Sequence, residues 1–159
     1  MPKDLEVVST FTLYEDLNDL PGKYRQLIDL ARDSAIRAYA PYSNFKVGAA
    51  VLTEDNQIVR GNNQENAAYP SGLCAERVAI FSASANYPDS KINTIAIVAN
   101  KNNEWKASMP CGACRQVIRE YETKQGNSIK IIMAYKEGAY ILSEGAEDLL
   151  PLSFTKTDL

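Results

Sequence analysis

Thr94-Ile95-Ala96-Ile97-Val98-Ala99 is a continuous apolar run of strand length, the pattern of a strand covered on both faces. The segments flanking it carry helical patterns. Upstream, a helix is predicted to begin near Cys74 and run through Ala75, Val78, Ala79, Phe81 and Ser82; downstream, another starts near Cys111 and ends around Gly126. Ile129–Tyr135 and Ala139–Ser143 then follow as strands, while Lys46–Thr53 and Gln57–Asn62 precede as two strands joined by a turn at Asp55-Asn56. Between Gly22 and Tyr39 the residues Tyr24, Leu27, Ile28, Ala31, Ala35, Ile36 and Tyr39 recur at helical spacing, and Pro41 ends that helix. Strands alternating with helices around a largely apolar sheet imply a three-layer α/β/α sandwich with a mainly five-stranded sheet. Ahead of it, Glu6–Tyr14 leans toward β structure, so residues 1–20 are expected to form an N-terminal arm or edge strand and residues 21–159 one domain.

The composition narrows the function. The chain has 159 residues, 45 % hydrophobic and 23 % charged, which suits one globular domain. Its net charge is −3 and no Lys/Arg block stands out, so a long polyanion is a poor partner. No apolar stretch has the length of a membrane span, and Met1–Thr10 has no apolar signal core, so a cytoplasmic protein is expected. There are 3 Cys and no His. Imidazole-dependent nucleophile systems are therefore excluded, and acid–base chemistry falls to carboxylates, Lys, Tyr or water held by a metal. An odd number of cysteines argues against a disulfide framework.

Cys74, Cys111 and Cys114 all lie at predicted helix starts, 37 and then 3 residues apart. Helix N-termini carry partial positive charge and favour thiolates. Alone, Cys111-x-x-Cys114 fits a redox pair equally well, and a free Cys is often a small buried hydrophobe. A third Cys at a second helix start, with Glu76 two residues on, favours zinc. A structural zinc site closes with four Cys or His ligands, and this chain has three; the remaining position is open to water, as in a hydrolytic enzyme. Glu76 is either a first-turn carboxylate favoured by the helix dipole or a group that moves the proton of that water. Three thiolates around Zn²⁺ leave one net negative charge, which Arg77 and the two helix N-termini offset.

Four ordered motifs carry a resemblance. Pro41-Tyr42-Ser43-Asn44-Phe45-Lys46-Val47-Gly48-Ala49-Ala50, Gly61-Asn62-Asn63-Gln64-Glu65-Asn66-Ala67-Ala68-Tyr69, Cys74-Ala75-Glu76-Arg77 and Pro110-Cys111-Gly112-Ala113-Cys114-Arg115-Gln116 resemble the cytidine deaminase family. The similarity is greatest to its small, homotetrameric, three-cysteine branch, and Leu149–Phe154 is similar to that branch's C-terminal segment. The resemblance spans roughly residues 20 to 159 and implies a mixed sheet. It also implies that Cys74, Cys111 and Cys114 bind Zn²⁺, that Glu76 shuttles protons and that Arg77 hydrogen-bonds to the ligand thiolates. Asn63 and Glu65 are implied to hold the ribose hydroxyls, the Ala67 backbone to meet the base, Phe45 to pack near the nucleoside and Phe154 to enter a neighbouring subunit's pocket.

The implied reaction is hydrolytic deamination of cytidine and 2′-deoxycytidine, a step of pyrimidine salvage, in a homotetramer with pockets shared between subunits. Met109 stands where the family usually has Ser, and Thr155-Lys156-Thr157 replaces the Gly-Pro often found after the terminal Phe. Neither departure touches the thiols or Glu76. The rivals are a deaminase for a modified cytosine nucleoside of the blasticidin S type, a polynucleotide-editing deaminase, a zinc-stabilised binding module and a redox protein. The acidic balance disfavours the second, an open metal site the third and Cys74 the fourth.

Overall fold

The computed structural model describes residues 1–159, apart from the side chain of Glu137. Its elements are β1 (Thr12–Tyr14), α1 (Gly22–Ile36), β2 (Lys46–Thr53), β3 (Ile58–Asn62), α2 (Ala75–Asn86), β4 (Ile92–Lys101), β5 (Glu104–Lys106), α3 (Gly112–Gln125), β6 (Lys130–Ala134) and β7 (Tyr140–Ser143). The sheet order is β1-β7-β6-β4-β2-β3, with β5 added along β4. Only β4 and β6 run parallel, and α3 provides their crossover.

Alternation along the central strands divides the core in two. Ala49, Val51, Ile95, Ile97, Ile131 and Met133 face α2 and α3, where Ala75, Ala79, Ile80 and Ile118 meet them. The intervening Ala50, Ala96, Val98, Ile132 and Ala134 face α1 through Leu27, Ile28, Ala31 and Ala35. A strand buried on both faces must be apolar at every position, which is why β4 has no amphipathic pattern. The expected α/β/α sandwich is therefore present.

Among the described residues the sheet has seven strands, two more than the five expected to make up most of it. Five form the body, and β1 and β5 add three residues each at the margins. All three β5 side chains are exposed, so no apolar pattern announces it. Asn102 and Asn103 both have positive φ (54° and 63°) and close a two-residue turn between β4 and β5, a conformation that asparagine tolerates. The first helix ends at Ile36 rather than Tyr39 because the Tyr39 N–H donates to the Asn63 carbonyl instead.

Gly61 sets how closely α2 approaches the sheet. A Cβ there would lie 2.5 Å from both the Ala75 carbonyl oxygen and the Ala79 nitrogen. Gly61→Ala is expected to lift the first turn of α2, cost roughly 1–3 kcal/mol of stability and lower metal retention, because Cys74 immediately precedes that turn. Urea unfolding with zinc analysis checks both; unchanged metal content would separate the helix position from the site.

Candidate active site

The site starts from a stitched loop. Residues 63–65 run between two other segments: Tyr39 accepts from the Glu65 N–H at 2.9 Å, and Gln64 exchanges backbone hydrogen bonds with Leu73 at 2.9 and 3.0 Å. Leu73 leads directly into Cys74, the N-cap of α2, whose thiol makes no capping bond. Cys111 caps α3 in the same way, and Cys114 lies buried in that helix's first turn. Both cap residues have extended backbone, and neither thiol bonds to the first-turn N–H groups of the helix it starts.

The three Sγ atoms lie within 4.8 Å of one another. Cys74 and Cys111 are 3.8 Å apart, and a tetrahedral centre with Zn–S bonds near 2.3 Å places its sulfurs about 3.8 Å apart. Softness, number and spacing of the donors all fit zinc. The Arg77 guanidinium donates to Cys74 Sγ at 3.7 Å. The Cys114 thiol, donating to Cys74, and the Arg77 guanidinium pull the Cys74 thiol down to about 5 against the opposing effect of burial. Cys114 is pushed up by that same hydrogen bond and by burial. In the metal-free protein the cluster is thus already partly ionised.

Glu76 is only 4 % exposed. Burial, reinforced by the Cys74 thiolate, pushes its carboxyl up to about 7. A group so poised holds and releases a proton near neutrality, which suits general acid–base work. Glu76 lines a cleft of about 280 Å³ with Phe45, Val47, Asn63, Met109 and the thiols of Cys74 and Cys111. A larger cleft of about 500 Å³ shares Asn63 and Cys74 with it and continues past Arg77 to Glu65, Tyr42 and Tyr69. The two clefts adjoin at Asn63 and Cys74 to form a groove; Glu76 and Cys111 line only the smaller part and Glu65 only the larger.

A family profile described as "Cytidine and deoxycytidylate deaminase zinc-binding region" matches residues 21–128. The chain belongs to this deaminase family. Cytidine deaminase from Sporosarcina psychrophila is 41 % identical over 134 residues, covering 84 % of this chain and 93 % of that protein. Cytidine deaminase from Halalkalibacterium halodurans is 37 % identical over 135 residues, or 85 % of this chain and 96 % of that one. The crystal structure of cytidine deaminase from Burkholderia pseudomallei superposes with a TM-score of 0.71 at 39 % identity, covering 82 % of this chain and 98 % of that chain. The chain is accordingly a hydrolytic deaminase with a Zn²⁺ site, for which the three thiols are the fitting donor set.

Within this deaminase the remaining expected residues are distributed unevenly. Asn63 is tied to β2: its Oδ1 accepts from the Val47 N–H at 2.8 Å and its Nδ2 donates to the Phe45 carbonyl at 2.9 Å. One lone pair and one N–H of the amide stay free toward the cleft. Glu65 Oε2 accepts from the backbone N–H groups of Tyr42 and Ser43 at 2.9 and 3.3 Å, and Oε1 accepts from the Ser43 hydroxyl. The Ser43 hydroxyl, with those N–H groups, holds the Glu65 carboxyl below the usual carboxylate range. Ala67 is exposed, between the cleft-lining residues Asn66 and Tyr69. Phe154 is 59 % exposed and lines neither cleft; its carbonyl accepts from Gln116 Nε2 at 2.9 Å.

Two residues outside the expected set shape the site. Ser43 orients Glu65, and its signal in the sequence is the Tyr42-Ser43-Asn44 turn, where Asn44 takes a positive φ of 52°. Arg115 fixes the Pro110 carbonyl, next to Cys111, with Nε at 2.8 Å and reaches the Leu149 carbonyl at 2.8 Å with a second nitrogen. Nothing in the local pattern around Arg115 announces that reach across 34 residues.

Arg77→Gln removes both a hydrogen bond and a positive charge from Cys74. Its thiol pKa is expected to rise, so the thiolate populated at neutral pH in the metal-free protein forms only at higher pH. Ultraviolet thiolate titration reads the midpoint, and zinc affinity should fall roughly 10- to 100-fold. A midpoint unmoved by the substitution would remove Arg77 from the electrostatics of the cluster.

Proposed function

We propose that this enzyme deaminates cytidine and 2′-deoxycytidine to uridine and 2′-deoxyuridine with release of ammonia, as a step of pyrimidine salvage in the cytoplasm. The observation that carries the reading is the convergence of three thiols on a buried carboxyl, Glu76, at one end of a groove. Support for the substrate comes from the relatives described as cytidine deaminases. In this reading residues 21–159 form the catalytic domain, residues 1–20 are an N-terminal arm, and Cys74, Cys111 and Cys114 are the ligands.

When bound, zinc supplies a Lewis acid that lowers the pKa of water. The chain's own groups do the rest. Glu76 accepts a proton from the attacking water and donates it to N3 of the ring. After oxygen adds at C4, Glu76 carries the second proton to the amino nitrogen, which leaves as ammonia, so a single carboxyl serves as base and then as acid. Arg77 restrains the charge of the thiolates. The Ala67 backbone meets the base and Phe45 packs near the nucleoside, while Glu65 accepts from the ribose hydroxyls and Asn63 meets them with its free amide groups. Phe154, exposed in one chain, is assigned to a neighbouring subunit's pocket in a homotetramer.

Loss of cytidine absorbance with the purified, zinc-loaded protein tests the reading, with deoxycytidine and blasticidin S in parallel. Turnover of blasticidin S but not cytidine would reassign the substrate. Glu76→Gln should keep zinc and fold yet lose roughly 10²–10⁴-fold in rate, whereas Cys111→Ala should lose the metal as well. Near-normal turnover by the Gln variant would refute the proton-shuttle role.

Glu65 also sets the form of substrate. A carboxylate at the sugar accepts hydrogen bonds from neutral hydroxyls, but it repels a phosphate placed there. Cytidine should therefore outrun 3′-CMP strongly and 5′-CMP less so, and Glu65→Gln should narrow the first difference. Equal turnover of all three by the wild type would sink this assignment. Truncation before Phe154 should weaken cytidine binding while zinc stays bound; a fully active monomer in light scattering would contradict the shared pocket.

A further inference from the structure

We propose that Arg32, on the sheet face opposite the thiols, is a positioning residue that holds one wall of the groove through the β4–β5 hairpin. Its guanidinium lies between two aromatic residues. Nη2 donates to the Tyr140 hydroxyl at 2.6 Å, and Cζ sits 5.2 Å from the centroid of the Trp105 ring. Tyr140 is only 3 % exposed in β7, so the arginine is anchored to a fixed point. Trp105 is the middle residue of β5, a strand with all three side chains exposed.

A strand of this length that buries no side chain has little stability of its own beyond its pairing with β4. The Arg32 guanidinium is a cation–π restraint on Trp105, which is 43 % exposed. Arg32 Nε is buried and, among the described residues, has no hydrogen-bond partner. The contact with Trp105 is a cation–π contact, since the indole offers no hydrogen-bond acceptor, and Nη1 also pairs with Asp29 Oδ1 at 3.5 Å.

The hairpin leads to both walls of the groove. On one side, Lys106 runs into Ala107, Ser108 and Met109, which line the cleft beside Glu76. The Ser108 N–H donates to the Ala134 carbonyl at 2.9 Å, and Ala134 is the register partner of Tyr140. Residues 105–108 are thus tied at both ends to a frame that includes Tyr140. On the other side, the hairpin tip reaches the loop before β2, where Asn44 Nδ2 donates to Asn102 Oδ1 at 2.7 Å. That loop supplies Phe45 to the cleft and Ser43 to Glu65. A shift of the hairpin moves Met109 relative to Phe45 across the smaller cleft; Cys74 and Glu76 belong to α2 and its cap, and Cys111 is separated from Met109 by Pro110, whose carbonyl Arg115 holds at 2.8 Å. The kinetic part of the inference rests on the nucleoside reading above.

Arg32→Gln tests it in the zinc-loaded protein, with Arg32→Lys as the variant that retains a cation over the ring. KM for cytidine should rise roughly 3- to 10-fold in the Gln variant, the range expected for loss of one cation–π contact. The value of kcat should stay within about twofold, zinc should stay bound, and Lys should recover part of the loss. Trp105 is the sole tryptophan, so its emission should shift to the red in the Gln variant. Hydrogen exchange should quicken in residues 101–109 and 41–46 and remain unchanged in 75–86. Exchange in 101–109 equal to that of the wild type overturns the proposal, as does a fall in kcat accompanied by loss of zinc. The exchange and emission readouts need no turnover, so a wild type inactive on cytidine would refute the substrate reading and still leave Arg32 decided.

Discussion

Three thiols within 4.8 Å of one another require two helices to begin at the same edge of one sheet. That requirement governs the architecture. α2 begins after the C-terminal end of β3, and α3 begins past the C-terminal end of β4. Through the antiparallel pairings of β2 with both strands, Asn62 and Asn100 lie at the same sheet edge. The parallel pairing of β4 with β6 follows, because α3 must travel back along the sheet before the chain can re-enter it. Ligand sites at the C-terminal ends of strands in α/β sheets arise in this way. Gly61 completes the constraint by letting α2 lie against β3 closely enough for Cys74 to face Cys111.

The same convergence produces the electrostatics. The Cys114 thiol and Arg77 stabilise negative charge on the Cys74 sulfur, while burial destabilises it on Glu76. Two acidic groups two residues apart are thereby driven in opposite directions: the thiol at 74 toward its anion and the carboxyl at 76 toward its protonated form. A metal cradle needs the first and a proton carrier needs the second. The physical difference is position on the helix. Cys74 is the cap and meets the guanidinium, whereas Glu76 is the second residue of the helix and buried at the cleft.

Farther along the groove, control passes from helices to loops. Glu65 is held by backbone N–H groups and the hydroxyl of a turn that follows α1, so the far end of the groove depends on where that helix stops. Arg115 performs the corresponding task on the other side by joining the residue before Cys111 to the C-terminal segment at Leu149. Each end is thus set by one side chain that joins main-chain groups: Glu65 accepts from the Tyr42 and Ser43 N–H groups, and Arg115 donates to the carbonyls of the buried Pro110 and Leu149, where an orphaned carbonyl is costly.

Local chemistry was sufficient to recognise the five principal strands, the three helices and the cluster of Cys74, Cys111, Cys114 and Glu76. Apolar periodicity reports burial directly, and thiols at helix starts are defined by a few neighbouring residues. The sequence by itself also excluded imidazole chemistry, since it contains no histidine. Only the tertiary structure decided that the β-leaning N-terminal stretch pairs over Thr12–Tyr14, the strand β5, the end of α1 at Ile36, the grip of Ser43 on Glu65 and the reach of Arg115 and Arg32. Those features rest on hydrogen bonds and ring contacts between residues far apart in the chain, such as Arg32 with Tyr140, 108 positions on. No local pattern encodes a partner at that distance, because its geometry exists only after the sheet has brought the two segments together.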